Sequence, residues 1–310
     1  MAGLDVREVI GRYGTAIAGL VLVVFFLLFA PNFASTMNII NVLKDTSFLA
    51  ILALGFALAF TVAELDLSIA EMASLAAVVC GWMVHSQYPP AVAFGAALAI
   101  GIVLGSLNGY GVTVLRIPSL IMTLGTAAIA KGLAFMITQG VAFTGLARGY
   151  SFGIPNLVLW MTGATLFAWV LVKWTRTGAH MVATGEADEA ARLAGIATAR
   201  MKRIGLLLAG VFAGLMAALL AANLSSAAPN MAGDYLLYAI AAVLLGMTMF
   251  EPGKPNIAGT VFAALVLKVL GNGLVLLGAP YYIQDIVLGV IIIGSVAFSA
   301  SAMKKAAFKV

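Results

Sequence analysis

The feature that most constrains this chain is the spacing of its charges, which leaves long apolar stretches recurring from one end to the other. A helix needs about 20 residues to cross the hydrocarbon core of a bilayer. On that measure the sequence divides into ten candidate spans, at 14–30, 47–63, 68–84, 90–110, 119–138, 156–173, 204–222, 236–250, 257–275 and 283–303. Inside lipid every backbone N–H and C=O must find a partner within the protein, and a helix provides this segment by segment. The predicted fold is therefore an all-α polytopic membrane protein of about ten transmembrane helices, forming a single transmembrane domain over 1–310. Composition agrees, because only 9% of residues are charged and 63% are hydrophobic. A water-facing surface takes about 25% charged residues.

Some spans are imperfect. The third is free of charge only from Met72 to Val84, the fifth contains Lys131, the ninth contains Lys268, and the eighth is short before Glu251. Interrupted helices in transporters line cavities, which makes both lysines candidates for a pathway. The same lysines can instead snorkel or pair inside the bundle, and both readings stay open. Arg7 and Arg12 precede an apolar run from Thr15 to Ala30, an outline shared with signal peptides. Cleavage there would leave most apolar segments in place, so the run is read as a retained first span.

Orientation follows from the basic residues. With the N-terminus inside, Arg7, Arg12, Arg116, Lys173, Arg176, Arg192, Arg200, Lys202, Arg203, Lys254, Lys304, Lys305 and Lys309 fall on the cytoplasmic side, and only Lys44 and Arg148 on the other. That asymmetry places both termini in the cytoplasm of a multi-pass inner (plasma) membrane protein. The net charge of +5 is spread singly among apolar stretches, which argues against nucleic acid as a partner. Cys80 is the only cysteine and His85 and His180 are far apart, so no metal site is predicted.

Three polar features stand out. Residues 174–203 form a hydrophilic connection in which 185–195 is predicted to make a short, partly exposed helix ended by Gly195. Residues 61–74, TVAELDLSIAEMAS, carry Glu64, Asp66, Ser68 and Glu71 inside apolar sequence. Ser68-x-x-Glu71 fits a capping box, with Asp66 at the favourable end of the helix dipole. Carboxylates beside a membrane segment also fit a substrate pathway, so these four remain candidates for either role. Third, Asn108-Gly109 at the end of one apolar run is echoed by Asn272-Gly273, 164 residues further on. Asn108 ends an inward-running span and Asn272 an outward-running one, the relation an inverted repeat requires, although shared composition would give the same likeness.

No P-loop, Gly-x-Ser-x-Gly elbow or His-Glu-x-x-His occurs. No catalytic residues are therefore assigned, and any ATP hydrolysis is expected on a partner.

Together ELDLS at 64–68, GSLNGYGVTVLRIPSLIMTLGTAAIAKGLAFMITQG at 105–140, EADEAARLAGI at 186–196 and LLYAIAAVLLGMTMFEPGKPNIAGTVFAALVLKVLGNGLVLLG at 236–278 resemble the ribose, xylose, arabinose and galactose permeases of bacterial ABC importers. The resemblance runs in order over nearly the whole chain. It implies a permease subunit for a monosaccharide or small polyol that pairs with a second permease, the same or related. It further implies a cytoplasmic ABC ATPase carrying ATP and Mg2+, and a periplasmic or lipid-anchored sugar-binding protein. Glu189, Ala190 and Ala191, with Arg192 and Gly195, would be the coupling helix that docks on the ATPase. The family pattern Gly-Gly-x-Asp-Leu-Ser-x-Gly is altered here, with Ala63, Glu64 and Ala70 at its glycine positions. An ion- or proton-coupled sugar carrier acting alone is the alternative, disfavoured by the 189–195 motif.

Overall fold

The computed structural model describes residues 6–146, 154–250 and 253–307, with side chains over 14–146, 156–250 and 253–297. Arg148, Glu251 and Lys309 lie outside the described residues, as do the side chains of Arg7, Arg12, Lys304 and Lys305.

The described chain is helical apart from turns and one two-residue ribbon. Its helices are α1 (Val6–Phe29), α2 (Thr36–Phe60), α3 (Ile69–His85), α4 (Pro90–Thr113), α5 (Ser119–Thr138), α6 (Ile154–Trp174), α7 (Arg176–Glu186), α8 (Asp188–Leu193), α9 (Thr198–Leu224), α10 (Tyr235–Gly246), α11 (Ile257–Leu276) and α12 (Tyr281–Ala307). Six are long and apolar enough to cross a membrane: α2, α4, α5, α6, α9 and α11. Shorter apolar helices lie at Gly14–Phe29, Ile69–His85, Tyr235–Gly246 and Tyr281–Ala297. The chain is thus an all-α, multi-pass membrane protein.

Several predicted boundaries shift: α1 and α9 begin at Val6 and Thr198, ahead of the predicted 14 and 204, and two further shifts have a visible physical reason. The charges of Lys44 and Asp45 predict a second span from 47, yet α2 begins at Thr36 and carries both. Lys44 is half-buried and Asp45 exposed, so a helix can hold them at its edge with their charged ends out of the apolar interior. The eighth predicted span runs over 236–250, whereas α10 stops at Gly246. The next turn is organised by Asn256, whose side chain donates to the carbonyls of Gly246 and Met249 at 2.9 and 3.0 Å. The same side chain caps α11 by accepting from the Gly259 N–H at 2.6 Å.

By packing, the chain forms two compact units, Met1–Ala53 with Leu237–Val310, and Leu54–Leu236. In the first, α1 lies against α11. Phe26, Ala30, Phe33, Val42 and Val269 make a buried cluster, and Gly273 lets the Phe26 ring approach the α11 backbone. Asn38 and Asn272 exchange side-chain hydrogen bonds of 2.9 and 2.8 Å. A polar pair inside an apolar unit is satisfied in this way without water.

The second unit is built around α3, which is buried on nearly every face. That suits a helix apolar all round. Its tightest packing joins α4 to α9. Gly101 and Gly105 on α4 face Gly210 and Gly214 on α9 so closely that a Cβ at Gly101 or Gly210 would strike the opposing backbone carbonyl. Small residues four apart on both partners allow this backbone-to-backbone contact, which replaces the hydrophobic drive that lipid removes. On α5, the buried positions Thr123, Thr126, Ala130, Ala134 and Thr138 make one narrow stripe. A short antiparallel ribbon, β1 (Phe143–Thr144) with β2 (Ser226–Ala227), joins the segments leaving α5 and α9.

Candidate functional site

The break between α2 and α3 is where the polar residues of this unit converge. Residues 63–68 run with alternating burial: Ala63 and Leu65 are exposed and Leu67 half-buried, while Glu64, Asp66 and Ser68 point inward. The carboxylates and the serine are therefore inside protein, and the outer edge of the loop is apolar.

Asp66 is fully buried. Its Oδ1 accepts from the Ser68 N–H at 3.0 Å and from the Ser68 hydroxyl. Ser68 Oγ accepts in turn from Asn108 Nδ2 at 2.8 Å, and Asn108 Oδ1 accepts from the Thr126 hydroxyl at 2.6 Å. Every donor in this chain points toward the carboxylate, and each member is at least nine-tenths buried. Satisfied buried networks fix one arrangement, because breaking any link orphans a polar group away from water. Within this network Asp66 Oδ2 has no hydrogen-bond partner among the described residues.

The capping box predicted at Ser68 and Glu71 does not form. Ser68 occupies the N-cap of α3 with helical backbone angles and makes no side-chain cap. Its hydroxyl is taken by Asp66 and Asn108, and Asp66 supplies the turn by accepting the N–H two residues on. Glu71 instead faces Lys131 on α5, at 3.8 Å. Lys131 is half exposed. Glu64 pairs with Lys202 at the start of α9, at 2.9 Å, with the glutamate almost wholly buried. From α5, the Thr123 hydroxyl bridges the loop backbone, at 3.2 Å from both the Leu67 N–H and the Leu65 carbonyl.

The structure thus brings Glu64, Asp66, Ser68, Glu71, Asn108 and Lys131 onto one set of helices. Lys268 and Asn272 belong to the other unit, where the Lys268 ammonium lies 4.9 Å from the centre of the Tyr238 ring and Asn272 pairs with Asn38. The sequence reading assigns no site role to Thr123, Thr126 or Lys202. The threonines could have been found from their spacing, since 123, 126 and 130 share one face of a helix. Lys202 was visible only as one more cytoplasmic charge.

The 174–203 connection contains two helices where one was predicted over 185–195. α7 is N-capped by Thr175, whose Oγ1 accepts from the Gly178 N–H at 3.0 Å. It ends at Glu186, and Ala187 turns extended (φ −158°) before α8 begins. The break coincides with Gly185 seated on the backbone of the 61–68 loop, so packing fixes α7 there and the chain turns away from it. The predicted stop at Gly195 does occur. It has φ +83°, its N–H bonds the Arg192 carbonyl and the Ile196 N–H bonds the Ala191 carbonyl, both at 3.0 Å. This is a Schellman cap, which glycine enters without steric cost. On α8, Glu189, Ala190 and Arg192 are exposed, whereas Ala191 is buried. Leu193 is 84% exposed, a large apolar side chain on a helix with charged neighbours that sequence reasoning passed over.

Against known proteins, residues 38–296 match the family model described as "Branched-chain amino acid transport system / permease component". The chain is 37% identical over 289 residues to the ribose import permease protein RbsC of Escherichia coli (strain K12), covering 89% of this chain and 90% of that one. It is 33% identical over 294 residues to RbsC of Bacillus subtilis (strain 168), covering 92% and 91%. To the galactose/methyl galactoside import permease protein MglC of Escherichia coli (strain K12) it is 31% identical over 313 residues, covering 93% of each.

Proposed function

Because the chain belongs to the family of sugar permeases of ABC importers, we propose that it is the membrane-spanning half of an ATP-driven importer for a monosaccharide or small polyol. Its relatives are transport permeases along nearly their whole length, and this is the single observation that carries the reading. A permease subunit for sugar import is what the family establishes. The rest of the machine is our inference: ten crossings of the inner membrane as a single permease domain, both termini in the cytoplasm, and a second permease beside this one. A separate ATPase binds and hydrolyses ATP with Mg2+, and a binding protein delivers the sugar on the opposite face.

Residues 174–203 are the cytoplasmic coupling segment in this proposal. The exposed side chains of Glu189, Arg192 and Leu193 suit a docking surface with an apolar centre and charged edges. Asp188 and Glu189 in the first turn and Arg192 in the last complement the helix dipole, so the presenting helix is itself supported. Ala191 faces the protein and acts by packing, and Gly195 acts by ending the helix. When ATP closes the ATPase dimer, movement of α8 would bias the spans between two packings.

The candidate pathway residues take different parts. Asp66, Ser68 and Asn108 fix the α2–α3 break from within, so the sugar would meet the outer edge of that loop and not the carboxylates. Glu71, Lys131, Lys268 and Asn272 stabilise helix contacts. The test is uptake into vesicles that hold this chain with its ATPase and binding protein. Sugar accumulation that requires ATP is the expected result. Uptake by this chain alone on an ion gradient would replace the proposal with a self-sufficient carrier.

A further inference from the structure

The 61–68 loop is gripped by the same connection that carries α8. Gly185, one residue before the end of α7, sits so close to the carbonyl of Thr61 that any side chain at 185 would collide with it. Thr184 beside it is buried and its hydroxyl is tied to the His180 carbonyl, so the contact is made by an ordered turn. At the other end of the connection, Gly205 of α9 lies against Val62 and the Leu58 carbonyl. Between these two backbone contacts stands the Lys202–Glu64 ion pair at 2.9 Å. The ties that the loop takes from α5 are neutral and longer: Ser119 Oγ at 3.4 Å from the Leu65 N–H, and Thr123 Oγ1 at 3.2 Å from both the Leu67 N–H and the Leu65 carbonyl. With Glu64 buried and the Lys202 side chain 24% exposed, this short ion pair is the charged one among these links, and removing Lys202 strands the buried glutamate.

We propose that Glu64 and Lys202 are positioning residues for energy coupling: their ion pair, with the seat of Gly185 on Thr61, makes the 61–68 loop follow the α7–α8 segment. The inference rests on the importer reading given above. A shift of α8 reaches α7 across the single residue Ala187 and reaches α9 through the four residues 194–197. Both of its neighbours hold the loop, so the loop cannot stay still while they move. Asp66 and Ser68 remain locked to α4 and α5 through Asn108 and Thr126. The displacement therefore falls on the exposed edge at Ala63 and Leu65, which presents no polar side chain of its own.

The experiment uses the assembled importer in proteoliposomes and reads sugar taken up per ATP hydrolysed, a ratio that does not depend on how much permease folds. Glu64→Gln and Lys202→Gln are each expected to lower this ratio about tenfold while ATP hydrolysis continues. The exchanged pair Glu64→Lys with Lys202→Glu should restore most of it. Glu64→Gly with Lys202→Met removes both charges without stranding either, and is expected to fold normally with a low ratio. An unchanged ratio in the single variants, or an exchanged pair no better than they are, would overturn the inference alone. Wild-type uptake that ignores ATP would overturn the importer reading and this inference with it.

Discussion

The α2–α3 break and α8 are both short polar interruptions in an apolar chain, and they are built in opposite ways. In the break, Asp66, Ser68 and their partners Asn108 and Thr126 are buried and bonded to one another. On α8, Glu189, Ala190, Arg192 and Leu193 face outward. Buried polarity specifies a structure, and exposed polarity around an apolar tip specifies a partner. The two regions should therefore fail differently when altered.

The largest effect is expected at Asp66. Asp66→Ala strands the Ser68 N–H and hydroxyl inside protein, at about 1–3 kcal/mol for each orphaned group, a large share of the stability of any one domain. Membrane abundance should fall severalfold, measured by quantitative blotting. Normal abundance with lost transport would instead return Asp66 to the pathway and break the comparison. Asn108→Leu follows, since it takes the acceptor from the Thr126 hydroxyl and the donor from Ser68 Oγ, which keeps only its bond to Asp66; Thr126→Val, which removes one end donor, should cost less. A variant ranking in the reverse order would show that the network does not run toward Asp66.

At α8 the expected losses are of binding, with abundance unchanged. Gly195→Val places a β-branched residue at φ +83° and should cost about 1–2 kcal/mol in the local turn, loosening the end of α8. Gly195→Asn, which tolerates that conformation, should be milder, and limited proteolysis of the connection would rank the two. The smallest effect is expected in the other unit. Asn272→Leu breaks one reciprocal amide pair and strands only Asn38, which still donates to the Phe33 carbonyl at 2.9 Å. Its thermal midpoint shift should be smaller than that of Asn108→Leu, although the two asparagines sit in matching Asn-Gly steps.

Much of this was legible in the sequence. Apolar length located the helices, because in lipid the hydrogen-bonding requirement leaves few other structures. Gly195 could be read as a helix stop because the cap depends on local backbone conformation alone. The start of α2 was misplaced because Lys44 and Asp45 were treated as ends, when long side chains let charges ride on a helix edge. The capping box failed for a different reason. Its local pattern was correct, but Ser68 is claimed by Asn108, 40 residues away, and Glu71 by Lys131. Likewise nothing near Glu64 announces Lys202, since that pairing exists only once α9 has returned to the loop. Local chemistry was readable and long-range pairing was not.

The division of labour between the two regions is tested most directly by one paired measurement. The ATPase that co-purifies with the permease is quantified per molecule of folded permease, for Leu193→Asp and for Asp66→Ala. Leu193→Asp should leave abundance unchanged and cut ATPase recovery about tenfold or more, because a charge replaces an apolar anchor at the docking tip. Asp66→Ala should lower abundance while each surviving permease still recovers its ATPase. Full recovery with Leu193→Asp, or loss of ATPase from folded Asp66→Ala permease, would contradict the account.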